Sequence, residues 1–166
     1  YSVERLEGKA ACKAALQRSL GLLVDPTRPL FGMTARLVKQ KGLDIVLESQ
    51  VVHMPEAQFV FLGEGEVGYA DALGEMAARW PDRVAAQFEF LEHREHELMA
   101  GADLFLMPSL YEPCGLSQMR AQRYGAIPVA RRVGGLADTI EDGVSGFLFD
   151  DYSAEALVVA CHRAID

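Results

Sequence analysis

The run Glu-Pro-Cys-Gly-Leu at 112–116 concentrates residue types that could bind a polar ligand. It follows an apolar stretch, 104–107, which predicts a strand that ends just before the run. Pro113 disfavours helical geometry at the residue before it, so Glu112 is expected to lie in a loop. A carboxylate in that position could hold the hydroxyl groups of a sugar. It could equally be a helix-start residue that favours the helix dipole.

The next residues along the chain could bind an anion through their backbone. Cys114 and Gly115 precede a predicted helix over 116–124, and glycine lets a backbone approach a ligand closely. The N–H groups of Gly115, Leu116 and Ser117 would open that helix, where the dipole favours negative charge. The Cys114 thiol could also be a nucleophile, but the sequence offers no clear histidine partner for it.

Two cations follow the first predicted strand. Arg36 and Lys41 come after the apolar run at 30–35, and Gly42 and a predicted helix follow them. Both cations thus emerge at the carboxyl end of one strand. A nucleoside diphosphate gains negative charge as its bond to a sugar breaks, and fixed cations there would stabilise it without proton transfer. A polar start to the following helix would explain the same residues without a ligand.

The segment 63–68 matches the pattern G-x-G-x-x-G between a predicted strand and a predicted helix. That pattern is typical of a dinucleotide-binding turn. Glu64 and Glu66 place two negative charges in the turn, which disfavours a pyrophosphate, and the ribose-binding acid would be about Glu89 on spacing alone. The glycines equally suit a tight strand–helix turn, or a turn that lines a nucleotide pocket without gripping phosphate.

The run Glu-His-Arg-Glu-His at 92–96 also contains metal-binding residue types. It lacks the His-Glu-x-x-His order of a helical zinc site, and acids at a helix start favour the dipole. We therefore expect a solvated helix start and no metal at this position.

These residues must be positioned by strands and helices that alternate along the chain. Strands are predicted at 30–35, 58–62, 84–88, 104–107, 127–130 and 146–149, and helices at 8–22, 42–52, 69–80, 92–100, 116–124, 136–140 and 154–166. Such alternation indicates right-handed βαβ units, and so an α/β fold with a Rossmann-like parallel sheet of about six strands and helices on both faces. Ligands bind such sheets at the carboxyl ends of the strands, where Arg36, Lys41 and Glu112 fall.

Length and composition narrow the class of protein. A chain of 166 residues, half of them hydrophobic, suits one globular domain, and its net charge of −8 argues against a nucleic-acid partner. The apolar runs are too short for a membrane span. Three cysteines without metal-ligand spacing favour a reducing compartment. The chain begins at Tyr1 and ends within a predicted helix, so we expect a piece of a longer protein.

Four segments resemble bacterial glycogen synthases and plant or algal starch synthases. They are 35–44, 102–109, 112–119 and 131–139, which recur in the family's order. The resemblance implies one half of a GT-B fold, namely the C-terminal, nucleotide-sugar-binding domain at 1–166, without the N-terminal acceptor domain. It implies glucosyl transfer from ADP-glucose to the nonreducing end of an α-1,4-glucan, with retention of configuration and no metal. The setting would be a bacterial cytoplasm or a plastid stroma.

The resemblance also implies roles for individual residues. Arg36 and Lys41 would hold the donor diphosphate, and Glu112 would hold the transferred glucose and be essential. Phe90 lies where relatives often carry a tyrosine stacked on adenine, although a core aromatic explains it equally well. The residues that would frame phosphate and sugar by backbone contacts are Cys114, Gly115, Leu116 and Ser117.

Three positions depart from common patterns in the wider group. Arg120 stands where many related glycosyltransferases carry a second glutamate, which synthases of this type generally lack. Val133 replaces a usual threonine, whereas Ser117 replaces a threonine and keeps the hydroxyl. The family is usually described by a front-face route, which the sequence does not decide. Two alternatives stay open here: a noncatalytic nucleotide-sugar-binding module, and an NAD-binding domain that uses 63–68.

Overall fold

Six short apolar runs form the strands of a parallel sheet. The computed structural model describes residues 1–2, 5–89 and 91–166. Within these ranges the strands are β1 (Leu30–Thr34), β2 (Gln58–Leu62), β3 (Val84–Gln87), β4 (Leu104–Met107), β5 (Ile127–Arg131) and β6 (Phe147–Phe149). Their order is β3-β2-β1-β4-β5-β6, and each neighbouring pair is parallel. The predicted α/β sheet of about six strands is confirmed.

Helices precede, connect and follow the strands. They are α1 (Glu7–Ser19), α2 (Leu43–Ser49), α3 (Val67–Arg79), α4 (Glu92–Gly101), α5 (Ser117–Arg123), α6 (Gly134–Thr139) and α7 (Ala154–Ile165). Most bounds differ from the prediction by one to three residues. The predicted helix 42–52 is shorter, because Gln50 adopts a left-handed conformation and Val51–His53 forms a separate 3-10 turn. None of the helices in the described ranges has the length and apolar character to cross a membrane.

Each face of the sheet buries its own apolar core, because successive side chains of a strand point to opposite faces. On one face Phe31, Phe59 and Leu106 pack with residues of α2, α3 and α7. On the other face Val60 and Phe105 pack with residues of α1, α4, α5 and α6. Helices therefore cover both faces, as the sequence predicts, and the strands read as nearly continuous apolar runs.

The strand order reverses between β1 and β4. β1 continues through β2 to β3 on one side, and through β4 to β5 and β6 on the other. In an open parallel sheet the loops after two such strands diverge and leave a crevice at their carboxyl ends. The loop 35–42, after β1, and the loop 108–116, after β4, border this switch point.

Candidate functional site

The loops after β1 and β4 meet in an ion pair at the switch point. Lys41 Nζ lies 2.6 Å from Glu112 Oε2, and the two side chains are only 21% and 10% exposed. The hydroxyl of Ser109, itself buried, donates to the same oxygen at 3.1 Å. Because α5 begins only at Ser117, the interpretation of Glu112 as a helix-start residue is wrong. The structure thus joins two of the three predicted catalytic residues.

The loop that carries Glu112 is tied to the loop after β1 by its backbone. The N–H of Leu110 donates to the Gln40 carbonyl at 2.9 Å, and the Gln40 amide donates to the Tyr111 carbonyl at 3.1 Å. Gln40 lies in the 3-10 turn Lys39–Lys41 that also presents Lys41. The two charged partners are therefore held in register by contacts that do not involve their own side chains.

Arg131 and Tyr152 support the same loop from its outer side. Arg131 donates to the Leu110 carbonyl at 2.9 Å, and its guanidinium lies over the Tyr152 ring, 5.3 Å from the ring centre. The Tyr152 hydroxyl donates to Asp44 at the start of α2. Burial, followed by the hydrogen bond to Asp44, raises the pKa of Tyr152 well above its ordinary range.

The start of α6 packs directly on the backbone of the Glu112 loop. The N–H of Gly135 donates to the Glu112 carbonyl at 3.0 Å. A side-chain carbon on Gly135 would collide with the Cys114 carbonyl, and one on Gly134 would collide with the Glu112 carbonyl. Only glycine permits so close an approach of two backbones. These glycines belong to a segment that carries the resemblance, but no local pattern predicted that they would lie at the site.

Arg36, the third predicted catalytic residue, stays exposed at the same edge of the sheet. Among the described residues its side chain has no hydrogen-bond or ion-pair partner. Its backbone is fixed, because the N–H of Leu37 donates to the Glu64 carbonyl at 2.9 Å and the N–H of Glu66 donates to the Leu37 carbonyl at 2.8 Å. The guanidinium is therefore free to meet a ligand while its chain position is constrained.

The first two glycines of the G-x-G-x-x-G segment permit this close backbone contact. A side-chain carbon on Gly63 would collide with the Ala35 carbonyl, and one on Gly65 would lie 2.5 Å from the Leu37 carbonyl oxygen. Gly63 and Gly65 are thus explained by contacts within the protein, without a need for pyrophosphate, whereas a side-chain carbon on Gly68 would meet nothing within 4 Å. The structure supports the tight-turn interpretation, in which the turn positions the loop that carries Arg36.

The remaining predicted site residues that the structure describes lie beside Glu112. Cys114 is exposed and unpaired, Gly115 is buried in a left-handed conformation with φ of 61°, and Ser117 is the first residue of α5. Leu116, which precedes α5, is exposed. Phe90, the predicted adenine partner, lies outside the described residues.

Arg120 and the 92–96 run form a structural contact. Arg120 Nη1 lies 3.1 Å from Glu95 Oε2, and the Glu95 side chain is buried. The expectation of a solvated helix start is therefore wrong for Glu95, because its carboxylate is buried and is paired with a cation from α5. In the described part of the chain no cluster of three or more His, Cys, Asp or Glu residues could hold a metal.

A cavity of about 680 Å³ opens at the opposite edge of the sheet, where β5 and β6 begin. Its lining includes Ile127, Val144 and Phe147, together with the neutral side chains of Gln122 and Thr139. The charged groups suited to a phosphorylated ligand lie instead at the switch point. We therefore assign the candidate site to the switch point.

Three residues that shape the site had no clear local signal in the sequence. Ser109 and Arg131 lie inside the segments that carry the resemblance, and that is the signal that could have found them. Tyr152 lies outside those segments, and its contacts join it to residues 108 positions away in the chain.

Comparison with known proteins supports the same assignment. Residues 28–166 match the family model of glycosyl transferases group 1. The glycogen synthase of Anaeromyxobacter dehalogenans strain 2CP-1 is 50% identical over 167 residues, which cover 97% of this chain and 35% of that protein. The glycogen synthase of Geotalea daltonii is 48% identical over 96% of this chain and 34% of its own length. The chain thus spans about a third of the length of the curated relatives it matches.

Solved structures agree with these relatives. The catalytic domain of starch synthase IV from Arabidopsis thaliana, bound to ADP and acarbose, matches 99% of this chain and 36% of its own chain, with a TM-score of 0.92 and 34% identity. Anabaena HepE in complex with UDP and glucose matches with a TM-score of 0.74 at 24% identity, which concerns the fold alone. The sheet is thus that of one half of a GT-B enzyme, and the resemblance to glycogen and starch synthases is confirmed. The chain belongs to the group 1 family of glycosyl transferases.

Proposed function

We propose that this chain is the donor-binding domain of a glycogen or starch synthase and binds ADP-glucose at the sheet edge that carries Arg36, Lys41 and Glu112. The observation that carries the proposal is the Lys41–Glu112 ion pair at the switch point, on the sheet edge where the Arg36 side chain has no partner among the described residues. Two cations and a carboxylate at one edge of the sheet suit a ligand that joins a diphosphate to a sugar rich in hydroxyls. The relatives named glycogen synthase favour an enzyme over a noncatalytic nucleotide-sugar-binding module.

Lys41 can contact the donor without releasing Glu112. An ammonium group has three N–H donors, and Glu112 Oε2 uses one of them. The others can reach phosphate oxygens, and Arg36 adds a planar guanidinium suited to the same group. As the bond between the anomeric carbon and the phosphate oxygen breaks, negative charge grows on the leaving diphosphate, and both cations stabilise it. We accordingly propose that the reaction needs no metal ion.

Glu112 holds sugar hydroxyls in this proposal and does not attack the anomeric carbon. Its Oε2 already accepts hydrogen bonds from Lys41 and Ser109, which leaves Oε1 for the glucose. A carboxylate that two donors hold in place is a weakened nucleophile and a well-oriented acceptor. This arrangement supports the front-face route. The acceptor oxygen bonds to the anomeric carbon on the face that the phosphate leaves, and the phosphate takes up the acceptor's proton.

The rest of the donor and the acceptor complete the proposal. The backbone from Cys114 to Ser117 frames the phosphate and sugar, and Phe90 stacks on the adenine. A second domain would present the nonreducing end of the α-1,4-glucan, since this chain spans only 35% of the length of its glycogen synthase relative. The reaction would take place in a bacterial cytoplasm or a plastid stroma, without nucleic-acid or membrane partners.

Calorimetric titration of the 166-residue chain with ADP, UDP and NAD tests this proposal. We expect weak binding that prefers ADP, and little or no glucosyl transfer to a glucan by this chain alone. Preferential binding of NAD would overturn the proposal and return attention to the turn at 63–68. Preferential binding of UDP would retain a glycosyltransferase site but exclude ADP-glucose as its donor.

A further inference from the structure

A bridge of hydrogen bonds lies behind the Glu112 loop and joins α5 to α6. Gln118, which is 0% exposed, donates from its amide nitrogen to the Gly115 carbonyl at 2.5 Å and to Thr139 Oγ1 at 2.9 Å. The Thr139 hydroxyl donates to the Gly135 carbonyl at 2.6 Å. Since the N–H of Gly135 donates to the Glu112 carbonyl, the bridge returns to the proposed site.

The number of protons available in this bridge determines which group donates each hydrogen bond. A hydroxyl has one proton, and Thr139 gives it to Gly135, so Thr139 can only accept from Gln118. Both amide protons of Gln118 are then used. Its Oε1 is buried and has no hydrogen-bond partner among the described residues, a state that costs stability. An apolar side chain would avoid that cost, so the glutamine is better explained by the two oxygens that it holds.

Because the Gly115 carbonyl points inward, the direction of the Leu116 N–H is also determined. The Gly115 carbonyl and the Leu116 N–H share one planar trans peptide, so they point in opposite directions. With the carbonyl bound to the buried Gln118, the N–H is directed away from the core. Leu116 is two-thirds exposed, at 66%, and no hydrogen bond from its N–H occurs within the described residues.

We propose that Gln118 and Thr139 are positioning residues of the donor site. Their bridge orients the Gly115–Leu116 peptide so that its N–H faces the phosphate nearest the transferred sugar. Neither residue touches the donor itself. This inference rests on the proposed function, because it assumes that a sugar nucleotide occupies the crevice beside Glu112.

The test compares the affinities of the chain for AMP and ADP, because AMP lacks the phosphate that the sugar is attached to. Gln118→Met keeps the size of the side chain and removes both donors. We expect it to weaken ADP binding about tenfold and to leave AMP binding unchanged. Thr139→Val removes the hydroxyl at an exposed position and should weaken ADP binding about threefold. Thr139→Ser keeps the hydroxyl and should bind as the unchanged chain does.

The outcomes separate this inference from the proposed function. If the unchanged chain binds ADP no more tightly than AMP, the proposed function fails. If it prefers ADP and both Gln118→Met and Thr139→Val keep that preference, the positioning role is refuted. An equal loss of AMP and ADP binding would mean a purely structural role and would also refute it. Should Gln118→Met fail to fold, the contrast between Thr139→Val and Thr139→Ser decides.

Discussion

The two loops that border the switch point differ in how firmly the protein holds their side chains. In the loop after β4, Glu112 is fixed by Lys41 and Ser109, and the backbone around it is fixed by Arg131 and Gly135. In the loop after β1 the backbone is braced by the turn at 63–66, but the Arg36 side chain has no partner among the described residues. The sugar end of the proposed site is thus preorganised, whereas part of its phosphate end can still adjust.

Substitutions in the two loops should therefore have different effects on stability and on ligand affinity. A change on the fixed side removes contacts that exist in the free protein, so it should lower both stability and ligand affinity. A change at Arg36 removes nothing in the free protein, so it should lower affinity alone. Groups that are already held in place lose little conformational entropy when a ligand binds. A cation that can still move attracts the ligand electrostatically without requiring one fixed geometry.

Gly135→Ala should have the largest effect, because it forces the fixed loop apart. The added carbon would collide with the Cys114 carbonyl, so α6 and the Glu112 loop must separate. We expect the free energy of unfolding to fall by about 2–3 kcal/mol, the usual cost of such overpacking, and ADP-glucose binding to be lost. Urea denaturation and calorimetry measure the two effects.

Gly68→Ala is the matched control for that substitution. Gly68 lies in α3, and a side-chain carbon there would meet nothing within 4 Å. Alanine is the better helix former, so stability should rise by about 0.5–1 kcal/mol with binding unchanged. Equal urea midpoints for the two variants would contradict the close packing of α6 on the Glu112 loop.

The next effect concerns the ion pair itself. Lys41→Met leaves the mostly buried Glu112 carboxylate without its cation, and we expect a loss of about 1–3 kcal/mol of unfolding free energy. Glu112→Gln removes the negative charge from the same pair. In the double variant no charge is left unpaired, so its loss should be smaller than the sum of the two single losses by about 1 kcal/mol or more. Additive losses in this double-mutant cycle would show that the pair does not couple the two loops.

The sequence allowed the elements to be predicted, and the resemblance put both loops at one donor site, but neither predicted the direct contact between Lys41 and Glu112. Apolar runs such as 58–62 and 104–107 coincide with β2 and β4, because a strand buried on both faces is recognisable locally. The contact of Lys41 with Glu112 depends on β1 lying beside β4, and strand order is a property of the whole sheet.

Local sequence patterns also failed to predict a residue's role where the same residue type can serve either a ligand or a contact within the protein. The glycines at 63–68 match a dinucleotide turn, yet Gly63 is required by the Ala35 carbonyl. Gln118 gave no local signal beyond its place in a segment that carries the resemblance, because its partner Thr139 is 21 residues away in the chain and both are ordinary helix residues by sequence. Close backbone contacts and buried hydrogen bonds between distant elements are thus the part that the sequence did not reveal.

Arg36→Ala should give the smallest change in the stability of the free protein. It tests the side of the site whose side chain is not held in place. The exposed guanidinium has no partner among the described residues, so the urea midpoint should stay within about 0.5 kcal/mol of that of the unchanged chain. ADP affinity should fall about tenfold or more, since a charge-assisted hydrogen bond to phosphate is lost.

Arg18→Ala supplies the control for Arg36→Ala, because it deletes the same exposed charge from α1. A general effect of net charge would weaken ADP binding equally in both variants, whereas a specific contact weakens it only in Arg36→Ala. Raising the salt concentration should shrink the effect of Arg36→Ala, since ions screen an exposed cation more than a shielded one. If Arg36→Ala instead destabilises the free protein as much as Lys41→Met does, the Arg36 side chain is held in the free protein as firmly as the ion pair, and the two loops do not differ in this respect.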